Sequence, residues 1–306
     1  MIVSRVPASS RPLADLVIVN YRSYDELSRC LSSLEPLRGG LATATVVDQD
    51  SDSASAGAVA RAFPWVVLLE RPTNGGFAKG INAGAAVGHA PFLVLLNPDC
   101  VAESDFVTRL IDFAIAHPKA AIVGPRILNA DGTIQGSARR FPGWSTFFAG
   151  RSSWLTRKFP RNPLSRWNLP ALAEGAGTSR VDWVSGACML VRRDAFDQAG
   201  GMDERFFLYW EDADLCKRLA ELEWQTIYFP EAEVVHAGGR SSVHAYRESL
   251  AAFHASALTL FRKHARWPAS WLAPLLYVAL QARLRTLLYV HRDRLRTARL
   301  PPPSHV

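Results

Sequence analysis

Acidic side chains stand at two points of this sequence where a carboxylate could do chemistry. The first, Asp99, comes directly after the apolar run Phe92–Leu96 and the turn signal Asn97-Pro98. A short apolar run bounded by a turn signal is typical of a fully buried parallel strand. Because ligands of open α/β sheets bind beyond the carboxyl ends of the strands, Asp99 is a candidate ligand of a metal ion or of a phosphate-bearing molecule.

The second point is the start of a predicted helix over 211–222. At about 100° per residue, Asp212 lies on the same face as Leu215 and Leu219, and Glu211 lies at the edge of that face. First-turn acids also complement the helix dipole, so the spacing alone leaves a structural and a catalytic role open. An inward carboxylate is costly unless it is paired or active, and aromatic residues precede it. We therefore interpret Asp212 as a candidate general base.

The elements that must position these acids alternate along the first hundred residues. Strands are predicted over 16–20, 42–47, 66–69 and 92–96, and helices over 24–34, over a small-residue stretch after 52, and from about 77 to 89. This alternation predicts βαβ units and a Rossmann-like, mostly parallel sheet flanked by helices. The dinucleotide fingerprint G-x-G-x-x-G and the P-loop motif are both missing, which disfavours a nicotinamide dehydrogenase and a P-loop enzyme.

The second half of the chain is less regular. The pattern predicts a helix over 106–117, a strand over 121–128, a long functional loop over 139–180, and a strand-like stretch over 181–191. Two short β segments are predicted over 227–230 and 232–235, and a glycine-rich loop follows His236. We expect a flexible arm over 1–14, a catalytic domain over 15–245 that divides near residue 100, and a helical extension over 246–306.

Composition narrows the setting. The net charge of +7 suggests anionic partners such as nucleotide phosphates or acidic lipid. The four scattered cysteines include no C-x-x-C pair, which argues against a zinc site or a disulfide scaffold and fits a reducing compartment. The N-terminus shows no signal-peptide pattern and no apolar stretch is long enough to span a membrane. We expect a cytoplasmic protein, with peripheral contact at the inner face of the cell membrane as a further hypothesis.

Seven motifs occur in a fixed order between residues 15 and 245: VIVNYRSYDELSRCLSSL, VVDQDS, NGGFAKGINAG, LLNPDC, WVSGACMLVRRDAF, GGMDERFFLYWEDADLCKRL and HAGGRSS. With these motifs the chain resembles the inverting family 2 glycosyltransferases of the GT-A fold, and most closely their bacterial rhamnosyltransferase branch. The resemblance implies a GT-A catalytic domain that carries a C-terminal helical extension.

The resemblance also implies roles for individual residues. Asp212 matches the catalytic base, with Glu211 beside it. Asp99 and His236 match metal ligands, which implies a divalent cation, Mg²⁺ or Mn²⁺. The implied nucleotide-sugar site comprises Asn20, Tyr21, Asp48, Asn74, Gly76, Lys79, Asn82, Asn97, Asp99 and Arg240. Of these, Lys79 and Arg240 are the candidate cations for the diphosphate.

Three positions depart from the family pattern. Asn97 replaces the first aspartate of Asp-x-Asp, Ile81 stands where many members have arginine, and Gln49 replaces a usual asparagine. The first change is common in the rhamnosyl branch and weakens metal affinity. The second leaves diphosphate binding to cations elsewhere in the chain.

The expected reaction is transfer of rhamnose from dTDP-rhamnose to a glycan or polyprenyl-linked acceptor in cell-envelope polysaccharide synthesis. UDP-galactofuranose, UDP-glucose and UDP-N-acetylglucosamine stay open as donors. A non-catalytic nucleotide- or glycan-binding relic is the alternative of another class. Nucleic acid is not expected as a partner, because no binding motif accompanies the basic tail.

The C-terminal stretch over 268–299 combines apolar residues with arginines, and Pro274, Arg283 and Arg285 interrupt it. It could be a helix that packs on the catalytic domain. It could also be a basic amphipathic surface that meets anionic lipid, and we favour this second interpretation as a hypothesis.

Overall fold

A computed structural model of the protein describes residues 12–38, 40–50, 53–142, 158–159, 163–169, 176–237 and 246–290. Its strands are β1 (Ala14–Asn20), β2 (Ala42–Asp48), β3 (Val66–Glu70), β4 (Phe92–Leu96), β5 (Cys100–Ala102), β6 (Ala120–Leu128), β7 (Ala138–Arg139), β8 (Ser179–Val181), β9 (Trp183–Val184), β10 (Cys188–Arg192) and β11 (Gln225–His236). Its helices are α1 (Tyr24–Leu34), α2 (Ser53–Ala62), α3 (Phe77–Ala85), α4 (Phe106–Ala116), α5 (Pro163–Asn168), α6 (Arg193–Gln198), α7 (Glu211–Glu221), α8 (Tyr246–His264) and α9 (Ala273–Val290).

The central sheet has the order β3-β2-β1-β4-β10-β6-β11-β5, and β8 pairs with β11. Strands β1 to β4 are parallel to one another. The order 3-2-1-4 places the carboxyl ends of β1, β2 and β4 at one edge, as predicted for a Rossmann-like half. Strand β10 is antiparallel to both β4 and β6, and β11 is parallel to β6. The sheet is therefore mostly parallel, as expected, with reversed strands in its second half.

Two predictions for the second half are wrong in detail. The single strand-like stretch over 181–191 is divided among β8, β9 and β10, and β9 pairs with β7 in a separate two-stranded sheet. The two short segments near residue 230 are one strand, β11, whose register shifts between Phe229 and Glu233. Pro230 has no N–H to donate to the ladder, which explains an irregularity at that point.

The core lies on both faces of the sheet. Helices α1, α2 and α4 cover one face, where the predicted apolar stripe of α1 (Leu27, Leu31, Leu34) is buried. Helices α3, α6 and α7 cover the other face, where Ala78 and Leu215 are buried. All four cysteines are buried and free, in agreement with the absence of a disulfide scaffold.

Several predicted segments fall wholly or partly outside the described residues. These are the arm over 1–11, most of the long loop over 139–180, the glycine-rich loop after Ala237 and the basic stretch beyond residue 290. Within the described chain, Leu260 of α8 belongs to the buried cluster that also contains Leu215 of α7, whereas no residue of α9 is buried. Across the described ranges, the model contains no helix with the length and apolar character needed to cross a bilayer.

Candidate active site

The carboxyl ends of β1 and β2 form the first part of the site. Asn20 and Asp48 pair in register at the two strand ends, and both side chains are fully buried. The Asn20 Nδ2 donates to Asp48 Oδ1 at 2.8 Å, and the Tyr24 hydroxyl donates to Asp48 Oδ2 at 2.9 Å. Burial raises the pKa of Asp48, and these two hydrogen bonds partly oppose the rise. Asp48 thus holds Asn20 rigidly, while Tyr21 lies partly exposed at the strand end.

The loop before α3 is tied to β2 by Gln49. Its Oε1 accepts from the Gly75 N–H at 2.9 Å, and its Nε2 donates to the Gly76 carbonyl at 3.1 Å. Asn74 Oδ1 accepts from the Gly76 N–H at 2.9 Å. Gly76 has a φ of +93°, and a Cβ there would collide with the carbonyl of Phe207. The NGGFAKGINAG motif therefore needs glycine at position 76 for backbone reasons alone.

Lys79 and Asn82 project from α3 into different surroundings. Lys79 is exposed, and its side chain lies against Gly75. Asn82 uses both ends of its amide on a neighbouring turn: Oδ1 accepts from the Met202 N–H at 2.8 Å and Nδ2 donates to the Met202 carbonyl at 2.9 Å. Asn82 therefore fastens the 202–204 turn, and its predicted contact with the nucleotide sugar stays a prediction.

Asp99 and His236 meet at the carboxyl end of β4. The His236 Nε2 lies 3.2 Å from Asp99 Oδ1, because β11 pairs with β5 so that His236 is opposite Cys100. Gln135 fixes the imidazole from behind: its Oε1 is 3.1 Å from His236 Nδ1, and its Nε2 donates to the His236 carbonyl at 3.0 Å. A carboxylate and an oriented imidazole with their ligand atoms converging form a donor set that fits a divalent cation.

Cys100 lies close to this pair but fits a ligand role poorly. Its Sγ lies within 4.8 Å of the ligand atoms of Asp99 and His236. The thiol donates to the Ala187 carbonyl at 3.2 Å, and burial raises its pKa well above the ordinary value. Only a thiolate is a good metal ligand, so Asp99 and His236 are the better candidates.

Asp212 begins α7 and is held by backbone N–H groups. The Gly186 N–H donates to Oδ2 at 2.9 Å, and the Ala213 N–H donates to Oδ1 at 2.8 Å. Burial raises the pKa of Asp212, and these two bonds and the nearby Arg139 lower it in part. The carboxylate is only partly buried, so it can still reach a ligand. This is the environment of a fixed base with an elevated proton affinity.

A short backbone connection joins Asp212 to Asp99. The Asn97 N–H donates to the Ala187 carbonyl at 2.9 Å, and Ala187 follows Gly186, which binds Asp212. Asn97 also places its Nδ2 3.4 Å from His236 Nε2. The pKa of the Tyr209 hydroxyl is influenced by acids of both groups. Burial raises this pKa, and the charges of Glu211 and Asp99 raise it further. The two predicted acids therefore face the same edge of the sheet.

Glu211 is nearly fully buried beside Asp212. Its Oε2 has no hydrogen-bond partner within the described ranges, and neither has the buried Nε1 of Trp210. Burial raises the pKa of Glu211 well above 4.5, and the charge of Asp212 adds to the rise. Of the two acids, Glu211 therefore has the stronger tendency to hold a proton, because the backbone donors Gly186 and Ala213 lower the pKa of Asp212 in part.

The sequence missed several residues that shape the site. Gln135 lies in an irregular stretch with no signal of its contact to His236. Gln49 was noticed only as a departure from a family pattern, and its role as a loop clamp needs the fold. A helical wheel puts Asp214 on the side of α7 away from the core leucines, yet Asp214 is fully buried. Arg240, a predicted diphosphate ligand, lies outside the described residues.

A model of the family described as "Glycosyltransferase like family 2" matches residues 12–268. The chain belongs to this glycosyltransferase family. It is 33% identical over 309 residues to an N-acetylglucosaminyl-diphospho-decaprenol L-rhamnosyltransferase of Mycobacterium tuberculosis, a match that covers 95% of this chain and 98% of the relative. It is 26% identical to rhamnosyltransferase WbbL of Escherichia coli, over 55% of this chain and 64% of the relative.

A solved structure confirms the fold of this glycosyltransferase. The mannosyltransferase PcManGT of Pyrobaculum calidifontis, solved in complex with GDP-Man and Mn²⁺, superposes with a TM-score of 0.53 at 17% identity. The match covers 95% of this chain and 87% of that protein. At this identity the likeness concerns the fold alone, and it agrees with the expected GT-A architecture.

Replacement of Glu211 tests the protonation state of the acid pair in this glycosyltransferase. The folded-state pKa of Glu211 is raised, so the folded protein binds more protons than the unfolded chain above about pH 4.5, and stability falls as pH rises. Glu211→Gln removes this loss. We expect the melting temperature of the variant relative to the wild type to increase steadily between about pH 5 and pH 8.

Glu103→Gln is the control, because Glu103 is exposed and makes no ion pair among the described residues. Its difference from the wild type should not change with pH. A pH-independent difference for Glu211→Gln as well would show that Glu211 is ionised in the folded protein.

Proposed function

We propose that this protein is a metal-dependent inverting glycosyltransferase that moves rhamnose from dTDP-rhamnose to a lipid-linked glycan acceptor in cell-envelope polysaccharide synthesis. The observation that carries the proposal is the pairing of a backbone-held base, Asp212, with the adjacent Asp99–His236 pair at one sheet edge. The relatives support the choice of sugar and acceptor, since one is named as a decaprenol-linked rhamnosyltransferase and another as a rhamnosyltransferase. UDP-galactofuranose and other UDP-hexoses are the alternative donors.

Asp212 supplies the proton chemistry in this proposal. Its carboxylate takes the proton from the acceptor hydroxyl as the oxygen attacks the anomeric carbon from the face opposite the diphosphate, so the configuration inverts. The Gly186 and Ala213 N–H groups fix the direction of the carboxylate. Because burial raises its pKa, Asp212 is a stronger base than an exposed aspartate.

Asp99 and His236 would hold a divalent cation, Mg²⁺ or Mn²⁺, which would neutralise the charge of the departing diphosphate. One protein carboxylate is enough for such an ion when phosphate oxygens and water complete the shell. The imidazole shifts the preference towards Mn²⁺. Asn20, Tyr21 and the Asn74–Gly76 loop would surround the nucleotide, with Lys79 at the rim.

Loss of the Asp99 carboxylate should weaken metal-dependent nucleotide binding. We expect Asp99→Ala to lower the affinity for dTDP in the presence of Mn²⁺ by about tenfold or more, because a direct ligand is lost. Cys100→Ser is the matched control, since serine can still donate to the Ala187 carbonyl. Thermal shift with a panel of dTDP and UDP nucleotides, with and without the ion, measures both effects. Equal affinity of wild type and Asp99→Ala would remove Asp99 from the metal site, and stabilisation by UDP alone would favour the other donors.

Loss of the base should separate binding from transfer. Asp212→Asn keeps the shape and the hydrogen bond from Gly186 but cannot accept the proton. We expect nucleotide affinity within about twofold of the wild type and a kcat lower by about 10²- to 10⁴-fold. Transfer from dTDP-rhamnose to a lipid-linked acceptor, measured beside nucleotide titration, tests this. Unchanged turnover would exclude Asp212 from the mechanism.

A lipid-linked acceptor requires access to a membrane surface, and the C-terminal helices offer one. Trp267 and Trp271 are 76% and 77% exposed, and Leu275 and Val278 of α9 are also exposed. Interfacial tryptophan next to basic residues is typical of peripheral membrane contact. Arg283, by contrast, donates to His254 Nε2 at 2.9 Å and so faces α8. In this proposal the apolar side chains enter an anionic bilayer, and basic residues of the 268–299 stretch such as Arg285 meet its headgroups.

Substitution of the two tryptophans tests whether this surface binds a membrane. We expect Trp267→Ser combined with Trp271→Ser to weaken binding of the full chain to phosphatidylglycerol vesicles by about tenfold, because the buried apolar area is lost. Ile115→Ser, which changes an exposed residue of α4, is the control. Vesicle co-sedimentation measures binding. If the double variant binds vesicles as the wild type does, the face does not enter the bilayer, and a loss of self-association on gel filtration would identify it as a dimer contact.

A further inference from the structure

The turn before the acid pair has an unfavourable backbone. Tyr209 and Trp210 have φ angles of +68° and +70°, in the left-handed region. Bulky residues adopt this region at a cost, and they keep it only where the surrounding structure holds them there. Glu211 and Asp212 follow directly, so the direction in which α7 starts depends on whatever holds this turn.

Helix α8 contacts the turn on its N-terminal side. The Ser256 hydroxyl donates to the Leu208 carbonyl at 2.9 Å. The Phe253 ring lies 5.8 Å from the Tyr209 ring and 5.3 Å from the Trp210 ring, measured between centroids. Leu208 and both residues with positive φ are therefore in contact with a helix that lies outside the Rossmann-like half.

Helix α8 also contacts α7 on the C-terminal side of Glu211 and Asp212. Asp214 is fully buried and contacts two cationic side chains and an imidazole: Lys263 Nζ at 2.7 Å, Arg218 Nε at 2.8 Å and His264 Nε2 at 2.8 Å. The Lys263 Nζ also lies 2.6 Å from Asp203 Oδ2, so Lys263 links the turn at Asp203 to α7. Charges this deeply buried hold their geometry closely, because separation leaves each one uncompensated.

We infer that α8 is a brace that sets the position of the Asp212 carboxylate, with Phe253, Ser256 and Lys263 as positioning residues. The inference rests on the proposed function of Asp212 as the base. The contacts of α8 fall at 208–210 and at 214, so they enclose Asp212 from both sides. A shift of α7 would draw Oδ2 away from the Gly186 N–H, which is the bond that aims it.

Loss of the brace should lower turnover without lowering nucleotide affinity, because none of its residues lies at the ends of β1, β2 or β4. Misplacement of a reacting group by about 1 Å can cost on the order of 100-fold in rate. We expect Lys263→Met to lower kcat by about 10- to 100-fold, and the milder Ser256→Ala by less. Lys263→Arg keeps a cation beside Asp203 and Asp214 and should restore most of the activity.

The experiment measures kcat, donor KM and dTDP affinity together with hydrogen exchange of the full-length protein. Thr259→Ala is the matched control, because Thr259 is only partly buried on α8 and its hydroxyl donates to the Ala255 carbonyl of its own helix. In Lys263→Met and Ser256→Ala, amides of residues 208–214 should exchange faster than in this control. A lower melting temperature with unchanged kcat of the folded enzyme and unchanged exchange would show that α8 only adds stability, and would overturn the inference.

The two proposals fail in different ways. If the wild type transfers no sugar from any donor, the proposed function is wrong, and the exchange measurement still decides whether α8 holds the 208–214 segment. If the wild type is active and the variants keep both its kcat and its slow exchange, the brace is wrong and the proposed function stands.

Discussion

The antiparallel pairing of β10 with β4 is the interaction on which the site depends. It sets Cys188 opposite Leu96, and it brings the Ala187 carbonyl to the Asn97 N–H. The residue before Ala187 is Gly186, whose N–H binds Asp212. Because the strand is fixed by its ladder, the segment that holds the acid at the start of α7 is tied to Asn97, two residues before the acid that follows β4. More than a hundred residues separate the two in sequence, and one backbone connection joins them in space.

Three acids of one helical turn then differ according to what surrounds them. Glu211 is buried and its Oε2 has no hydrogen-bond partner in the described chain, so burial raises its pKa. Asp212 receives two backbone N–H donors and stays partly open. Asp214 is buried among an arginine, a lysine and a histidine, and it joins α7 to α8. The residue type is nearly constant along this turn, and the environment assigns a separate role to each carboxylate.

The alternative of a binding relic is disfavoured by this arrangement. Tyr209 and Trp210 keep an unfavourable backbone conformation directly before the two adjacent acids, which nucleotide binding alone does not require. Membership of the glycosyltransferase family agrees with a catalytic interpretation of the site.

The sequence by itself determined the elements whose pattern is local. The apolar run of β4 and the stripe of α1 predicted a buried strand and an amphipathic helix because burial follows the period of each structure. The ordered motifs determined the family, and the inward face of α7 identified Asp212 as unusual. The strand ends at Asn20, Asp48 and Asp99 follow from the same alternation, since parallel strands share one carboxyl edge.

Only the tertiary structure decided which distant groups meet. Three contacts show this: β10 inserts between β4 and β6, Gln135 contacts His236, and Asp214 is buried under α8. Each contact joins residues that lie far apart in the sequence. A helical wheel shows which side of α7 Asp214 occupies, but it does not show that a second helix covers that side. The physical reason is that local patterns record whether a side chain prefers water or the core, whereas the choice of partner depends on chain packing that no short window of sequence contains.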